Sequence, residues 1–200
     1  MFFRVAVAAF ALLMTVLFAV RYLNGKLDEI VTDMVEEGLK NTITEMINEA
    51  VSESMKEGDY GDILRVSYAS DGKVRSMTAD SVKINLLRAD VSLRISEKLY
   101  AMEKFYVDVD ISNVFDDAIL LKDATYVFTV DVVPVGGIET DVKSEFISVG
   151  INQTNYKLNM NVKVGIMAIM LITNDEINVS TSVNIAEMLV VGDVPTVYLG

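Results

Sequence analysis

The 200-residue sequence contains neither cysteine nor histidine. These absences exclude Cys–His and Ser–His–Asp nucleophile systems, thiolate and imidazole metal sites, and the usual pH switch near neutrality. Paired acids such as Asp116 and Asp117 could form a hydrolase site only from a loop, because neighbours on a strand point to opposite faces. We therefore expect a protein that is not an enzyme, with no catalytic residue, no metal and no cofactor.

Basic residues are scarce after the first 26 positions. All 29 acidic residues follow Lys26, whereas three of the 17 basic residues lie at or before it, so the remainder carries 17 − 3 = 14 basic residues and a formal charge of 14 − 29 = −15. A surface of this charge repels phosphate backbones and anionic headgroups. We expect no nucleic-acid partner.

An apolar run of 16 residues, 5–20, lies between Arg4 and Arg21 and is interrupted only by Thr15. As a helix it spans about 24 Å, against a hydrocarbon core of about 30 Å. Aromatic and aliphatic neighbours can extend it at the interfaces: Phe2, Phe3, Tyr22 and Leu23. Residues 1–26 are therefore predicted to form a transmembrane anchor that ties the protein to a membrane through residues 5–20.

A cleavable signal peptide is the alternative interpretation of this run. No small-x-small cleavage site follows Val20, since the next residues are Arg21, Tyr22 and Leu23. Flanking charge does not orient the segment, because cations lie on both sides of it. We interpret the chain as a single-pass membrane protein with a short cytoplasmic terminus, and residues 27–200 as one exported domain.

The domain is predicted to begin with two helices. Residues 27–57 have an amphipathic pattern whose apolar spacing drifts around the helix, which favours packing on a sheet over a coiled coil. Residues 60–102 are predicted to form a hairpin with a two-residue turn at Asp71-Gly72, then a helix capped by Asp80 or Ser81. The polar side of that second helix carries cations that we expect to pair with nearby carboxylates: Lys83, Arg88, Arg94 and Lys98.

Alternating apolar and polar residues dominate the rest of the domain, 105–195. Residues 155–164 and 177–186 each place apolar side chains on one face and polar ones on the other, which is typical of half-buried strands. The predicted fold class is α+β: a transmembrane helix, a long amphipathic helix and a second helix packed on a mainly antiparallel meander sheet.

The alternation ends after Gly165, where every residue from 166 to 172 is apolar. Such a strand is covered on both faces, or else it exposes a patch for a protein partner or a lipid. A methionine-rich set in this region is the candidate apolar ligand or partner surface: Met160, Ile166, Met167, Ile169, Met170 and Leu171. Because methionine adapts to irregular ligands, a carrier of a lipid or other apolar ligand is the alternative to a protein-docking module.

Two short motifs resemble those of a known family. One is the turn Gly150, Ile151, Asn152, Gln153 and Thr154, in which we expect a positive φ at Gly150. The other is a C-terminal block that includes Ala186, Glu187, Val191, Gly192, Val194 and Pro195. With Ile47-Asn48-Glu49-Ala50-Val51 and residues 93–99, they make the chain similar to the YunB family of sporulation proteins.

The resemblance implies a protein of an endospore-forming bacterium that is anchored in a spore-envelope membrane and is needed for sporulation. It implies a protein partner in the spore envelope and no catalytic residue. The chain departs from the family pattern after the turn, where Asn155-Tyr156 stand in place of a basic residue and a histidine.

Overall fold

The computed structural model describes residues 2–102, 104–110, 125–150, 152–170 and 174–192. Within these ranges the chain forms two helices and seven strands, which follow one another in this order: α1 (Phe2–Glu57), β1 (Leu64–Tyr68), β2 (Val74–Ala79), α2 (Ser81–Ala101), β3 (Lys104–Asp110), β4 (Thr125–Pro134), β5 (Glu139–Gly150), β6 (Gln153–Ile169) and β7 (Asn174–Val191). The predicted α+β class with an antiparallel sheet is confirmed.

The long helix α1 has two parts that differ in packing. In its second part an apolar stripe is buried against α2, β3 and β7, which confirms packing over a coiled coil: Val35, Leu39, Ile43, Met46, Ile47, Ala50 and Val51. Gly38 lies within this part, and a Cβ there would sit 3.1 Å from the ring of Phe105 in β3. The glycine therefore allows close contact between helix and sheet.

In the first part of α1, apolar side chains from Phe10 to Phe18 are exposed. Among the described residues, no helix meets the length and hydropathy that crossing a membrane requires. The predicted transmembrane anchor is therefore not confirmed, and it stays a prediction.

The hairpin β1–β2 forms where it was predicted, but with a different turn. Gly72 N–H donates to the Ala69 carbonyl at 3.0 Å, and Ala69 N–H donates to the Lys73 carbonyl at 2.8 Å. Only Gly72 in this turn has a positive φ, of 81°. The connection is thus a three-residue loop with a left-handed glycine, and the two-residue turn was wrong. Asp80 caps α2 by accepting from the N–H groups of Val82 and Lys83, as predicted.

The five-stranded sheet is antiparallel but is a meander only in part. β5, β6 and β7 follow one another, whereas β4 skips β5 and pairs with β6. Residues 131–134 of β4 and residues 139–150 of β5 lie in succession along the same side of β6. β4 and β5 therefore occupy the same strand position beside β6, one after the other, and we call this position the shared lane. The segment between Pro134 and Glu139 joins the two strands.

The core lies between the two helices and one face of this sheet, which we call the inner face. In β6 it takes every second residue: Tyr156, Leu158, Met160, Val162, Val164, Ile166 and Ala168. The facing residues of β7 begin with Ile177 and Val179, and a bulge opposite Leu158 and Asn159 adds Ile185 to that strand. Beyond the bulge Ala186 lies opposite Leu158, so β7 keeps apolar residues on the inner face despite the change of phase.

Candidate docking surface

The face of the sheet turned away from the helices, which we call the outer face, carries an apolar patch at one end. Val133 of β4 lies directly across from Met167 of β6, and Asp131 lies across from Ile169. We call these exposed or half-buried side chains the outer patch, which has two parts separated by Thr129 and Asp131 of β4: Tyr106 and Val127 in one, and Val133, Met167 and Ile169 in the other. Tyr106 is 62%, Val127 63%, Val133 45% and Ile169 38% exposed. Large apolar side chains left in water are typical of interaction surfaces, so we treat this face as the candidate docking surface.

The structure divides the predicted methionine-rich surface between the two faces. Met160 and Ile166 are fully buried in the core, whereas Ile169 is exposed and Met167 half-buried on the outer face. Met170 is half-buried against the core, and Leu171 lies outside the described residues. Sequence reasoning missed Tyr106, Val127 and Val133, although each lies at an outward position of an alternating strand.

The outer face between its two ends is polar. Opposite Asp141 of β5 stands Asn161 of β6, and opposite Asn161 stands Ser182 of β7. At the far end the exposed apolar residues Leu189 and Val191 of β7 lie across from Asn155 and Gln153. Because the polar middle separates these residues from the outer patch, the outer patch is a surface of its own.

The turn motif and the C-terminal block come together at that far end. Gly192 N–H donates to the Asn152 carbonyl at 2.7 Å, and a Cβ on Gly192 would meet that oxygen at 3.3 Å. In β6, Gln153 pairs with Val191 and Thr154 with Val190. The two motifs thus hold the β5–β6 turn against the end of β7, which is a packing role. Ile151, Val194 and Pro195 lie outside the described residues.

The positive φ expected at Gly150 is wrong. The backbone of Gly150 is not left-handed, and among the described residues of this turn the one with a positive φ is Asn152, at 61°. Asparagine tolerates that conformation better than other non-glycine residues. A Cβ on Gly150 would make only ordinary contacts with Gln153, the nearest at 3.5 Å.

The departure from the family pattern also falls on packed positions. Tyr156 is 6% exposed and its ring lies 4.7 Å from that of Phe146, tilted by 58°. The Asn155 side-chain amide donates to Glu187, and Lys157 Nζ lies 3.6 Å from the same carboxylate. The hydrogen bond from Asn155, with the charge of Lys157, lowers the pKa of Glu187 below its ordinary value. Tyr156 thus packs against β5, whereas Asn155 and Lys157 tie β6 to β7.

The basic residues of α2 are occupied by partners, most of them carboxylates as predicted. Lys98 Nζ lies 2.6 Å from Glu49 and 3.2 Å from Glu53, and Arg94 reaches Glu57 at 2.5 Å. Lys83 pairs with Asp59 and Asp62. These pairs join α2 to the end of α1 and to the turn beyond it. Arg88 instead donates to the main-chain carbonyl of Thr140 in β5.

A small cavity of about 80 Å³ lies where α2 crosses the joint between β4 and β5. Its lining includes Ser96 and Tyr100 of α2, Gly136 and Gly137 of the joint, and Gly165 of β6. Ligand pockets for drug-sized molecules measure roughly 300–1,000 Å³. This cavity is too small for a lipid, and its lining contains no member of the methionine-rich set.

Residues 106–197 match the model of a family described as Sporulation protein YunB. No curated protein and no solved structure matches the chain. The matched segment begins in β3 and takes in β4 to β7, so it contains the five-stranded sheet and the outer patch. The predicted family is confirmed over these residues, and the agreement at residues 47–51 and 93–99 lies outside them.

Proposed function

We propose that this chain, whose residues 106–197 match the sporulation protein YunB family, is a membrane-anchored docking module that serves sporulation without catalysis. The observation that carries the proposal is the outer patch, where Val133 and Ile169 are 45% and 38% exposed on a face that no described element covers. Covering such side chains gains free energy in proportion to the apolar area removed from water. A protein partner in the spore envelope with an apolar surface fits this face.

The geometry favours docking over carriage of an apolar ligand. A carrier needs an enclosed cavity lined by the methionine-rich set, but Met160 and Ile166 are packed without exposure and the cavity beside β6 measures only about 80 Å³. Native mass spectrometry after mild detergent extraction separates the two functions. Lipid bound at stoichiometric occupancy would favour the carrier, and an empty chain would favour docking.

Ile169→Lys tests the outer patch, with Asn161→Lys as the matched control. Both changes add the same cation to the outer face of β6, but only Ile169 lies in the patch. Asp131 lies opposite this position, so a partner that covers the patch would have to desolvate the new cation and that carboxylate together. An ion pair in place of apolar contact costs about 1–4 kcal/mol, so docking should weaken roughly tenfold or more. We expect Ile169→Lys to lower the yield of heat-resistant spores sharply when it replaces the native chain, and Asn161→Lys to leave the yield unchanged.

Circular dichroism and the melting temperature of both purified variants provide the folding control. Equal spore yields for the two variants would contradict the proposal. So would a loss of fold in Ile169→Lys that Asn161→Lys does not share, because the yield would then report stability and not docking.

The membrane anchor has its own test. We expect the full chain to sediment with membranes, to resist alkaline carbonate and to be released by detergent. Leu12→Arg combined with Val16→Arg places two cations in the apolar run, each costing about 2.5–3.5 kcal/mol at the middle of a spanning helix, and should move the chain to the soluble fraction. Asn48→Arg with Ser52→Arg, two exposed positions of the same helix, is the control. Wild-type chain in the carbonate wash would overturn the anchor.

A further inference from the structure

Among the strands that the structure describes, β5 has a partner on one side only. It bonds to β6, and it ends the order of strands in the sheet as far as the structure describes it. Four consecutive residues, Lys143, Ser144, Glu145 and Phe146, are exposed along it, and Phe146 is 65% exposed. An open edge that carries unpaired N–H and C=O groups is a template for pairing with another strand.

The hydrogen bonds of β6 show which groups of β5 face that open edge. Val135 N–H donates to the Gly165 carbonyl at 2.9 Å, so Gly165 directs its carbonyl to the side of β6 on which β4 and β5 lie. Successive residues of a strand alternate between its two neighbours. Odd-numbered residues of β6 therefore bond to β5, and their partners there are odd-numbered too, from Glu139 opposite Lys163 to Ile147 opposite Asn155.

The even-numbered residues of β5 consequently direct their backbone groups to the open edge. Thr140 agrees with this assignment, since its carbonyl accepts a hydrogen bond from Arg88 of α2. Arg88 occupies that one carbonyl, which lies near the start of β5. The backbone N–H and C=O groups of Val142, Ser144 and Phe146 lie further along the open edge, past the contact with Arg88.

We propose that this edge pairs with β5 of a second copy of the chain, antiparallel about a two-fold axis at Ser144. In that register Ser144 bonds to Ser144, and Val142 of each copy bonds to Phe146 of the other. Three bonded pairs supply about six backbone hydrogen bonds. Each exposed Phe146 ring gains the Val142 side chain of the second copy as its cross-strand neighbour.

Charge favours this register over those whose axis lies one residue to either side. With the axis at Ser144, Lys143 of each copy faces Glu145 of the other in the closely spaced, non-bonded pairs, where opposite charges attract. Moving the axis to Lys143 would place lysine against lysine and Asp141 against Glu145. Moving it to Glu145 would place glutamate against glutamate. Only the register at Ser144, among these three, pairs both cations with anions.

The opposite edge of the sheet lacks this complementarity. The charged residues of β7 are Asp175, Glu176 and Glu187, with no cation among them. A bulge at Ile185 also interrupts its register, and bulges protect edges from pairing. A second copy thus fits β5 and not β7.

Ser144→Pro tests the pairing with the full chain in detergent, measured by sedimentation equilibrium. Proline removes the N–H that points to the open edge and leaves the bonds from β5 to β6 in place. Ser180→Pro is the matched control, because Ser180 lies opposite the odd-numbered Lys163 and directs its groups to the open edge of β7. We expect wild type and Ser180→Pro to be dimers and Ser144→Pro to be a monomer.

Two further variants fix the register. Lys143→Glu and Glu145→Lys should each weaken the dimer by about tenfold or more, since each creates like-charge pairs, and the double variant should restore it.

A cysteine at position 144 tests the same register by cross-linking. Because the chain has no cysteine, the thiol introduced by Ser144→Cys can form a disulfide only with the same thiol of a second copy. Paired Cα atoms about 5.5 Å apart allow a disulfide, so oxidation should cross-link Ser144→Cys and not Ser180→Cys.

The proposed dimer does not depend on a role in sporulation. A monomeric wild-type chain would overturn it, as would a dimer that Ser144→Pro leaves intact or a double charge variant that stays weak. A dimer lost only in Ser180→Pro would assign the contact to β7 instead.

Discussion

Replacing Ile166 by alanine is expected to lower the free energy of unfolding by about 3–4 kcal/mol, whereas the same change at Ile169 should cost less than about 1 kcal/mol. The two isoleucines lie on the same strand, three residues apart, but on opposite faces of the sheet. Ile166 is fully buried beneath the helices, and Ile169 is 38% exposed in the outer patch. Only the first deletion leaves a cavity that the surrounding core has to accommodate.

Denaturant unfolding of the full chain, followed by circular dichroism in detergent, measures both changes. The expected order requires that the slopes of the two transitions agree with that of wild type, so that the midpoints report stability. Similar midpoints for the two variants would contradict the assignment of faces and, with it, the outer patch.

Ile166 and Ile169 also show how far the sequence alone could predict which face of β6 each residue lies on. In residues 155–164 the chemistry of the side chains alternates, so the predicted strand and its inner face are confirmed. From residue 166 onward the side chains are apolar at every position, although burial continues to alternate, with Ile166 and Ala168 inside. A surface made to be covered by another molecule has the same composition as a core. Periodicity alone therefore could not separate the outer patch from a strand covered within the chain.

Backbone geometry limited the prediction of the turns. Residue types correctly located both hairpins, but they did not determine which residue takes a positive φ: Gly72 alone in the first, and Asn152 where Gly150 was expected in the second. Loop length and register decide that assignment, and these are set by pairing along the whole strand. The bulge at Ile185 could not be predicted for a similar reason. Apolar residues continue on the inner face of β7 on both sides of it, so the sequence pattern does not mark the change of register.

The shared lane of β4 and β5 was not foreseen for a further reason. Pro134 and the glycines after it were correctly identified as a break between two strands. A break usually reverses the chain, but here the chain continues in the same direction along β6, with Val135 N–H bonded to the Gly165 carbonyl. The partner of that bond is some 30 residues away in sequence, so no local signal marks it.

Gly165→Ala is therefore expected to destabilise the protein strongly at this joint. A Cβ at Gly165 would stand 2.8 Å from the Val135 carbonyl oxygen, closer than real Cβ atoms approach a backbone oxygen. Because that oxygen belongs to main chain that is bonded to Gly165 itself, relief would need a shift of β4 against β6. Overpacking of this kind costs about 1–3 kcal/mol, which for a chain of this size lowers the melting temperature by about 2–12 °C.

Gly137→Ala is the control, since a Cβ there meets nothing within 4 Å and its φ is not left-handed. That change should leave the melting temperature the same or raise it slightly, because alanine restricts the unfolded chain. Differential scanning calorimetry measures the melting temperatures of both variants and of wild type. Equal melting temperatures for Gly165→Ala and Gly137→Ala would show that the close approach of β4 to β6 does not stabilise the joint. The placement of β5 along the same lane would then lose its support.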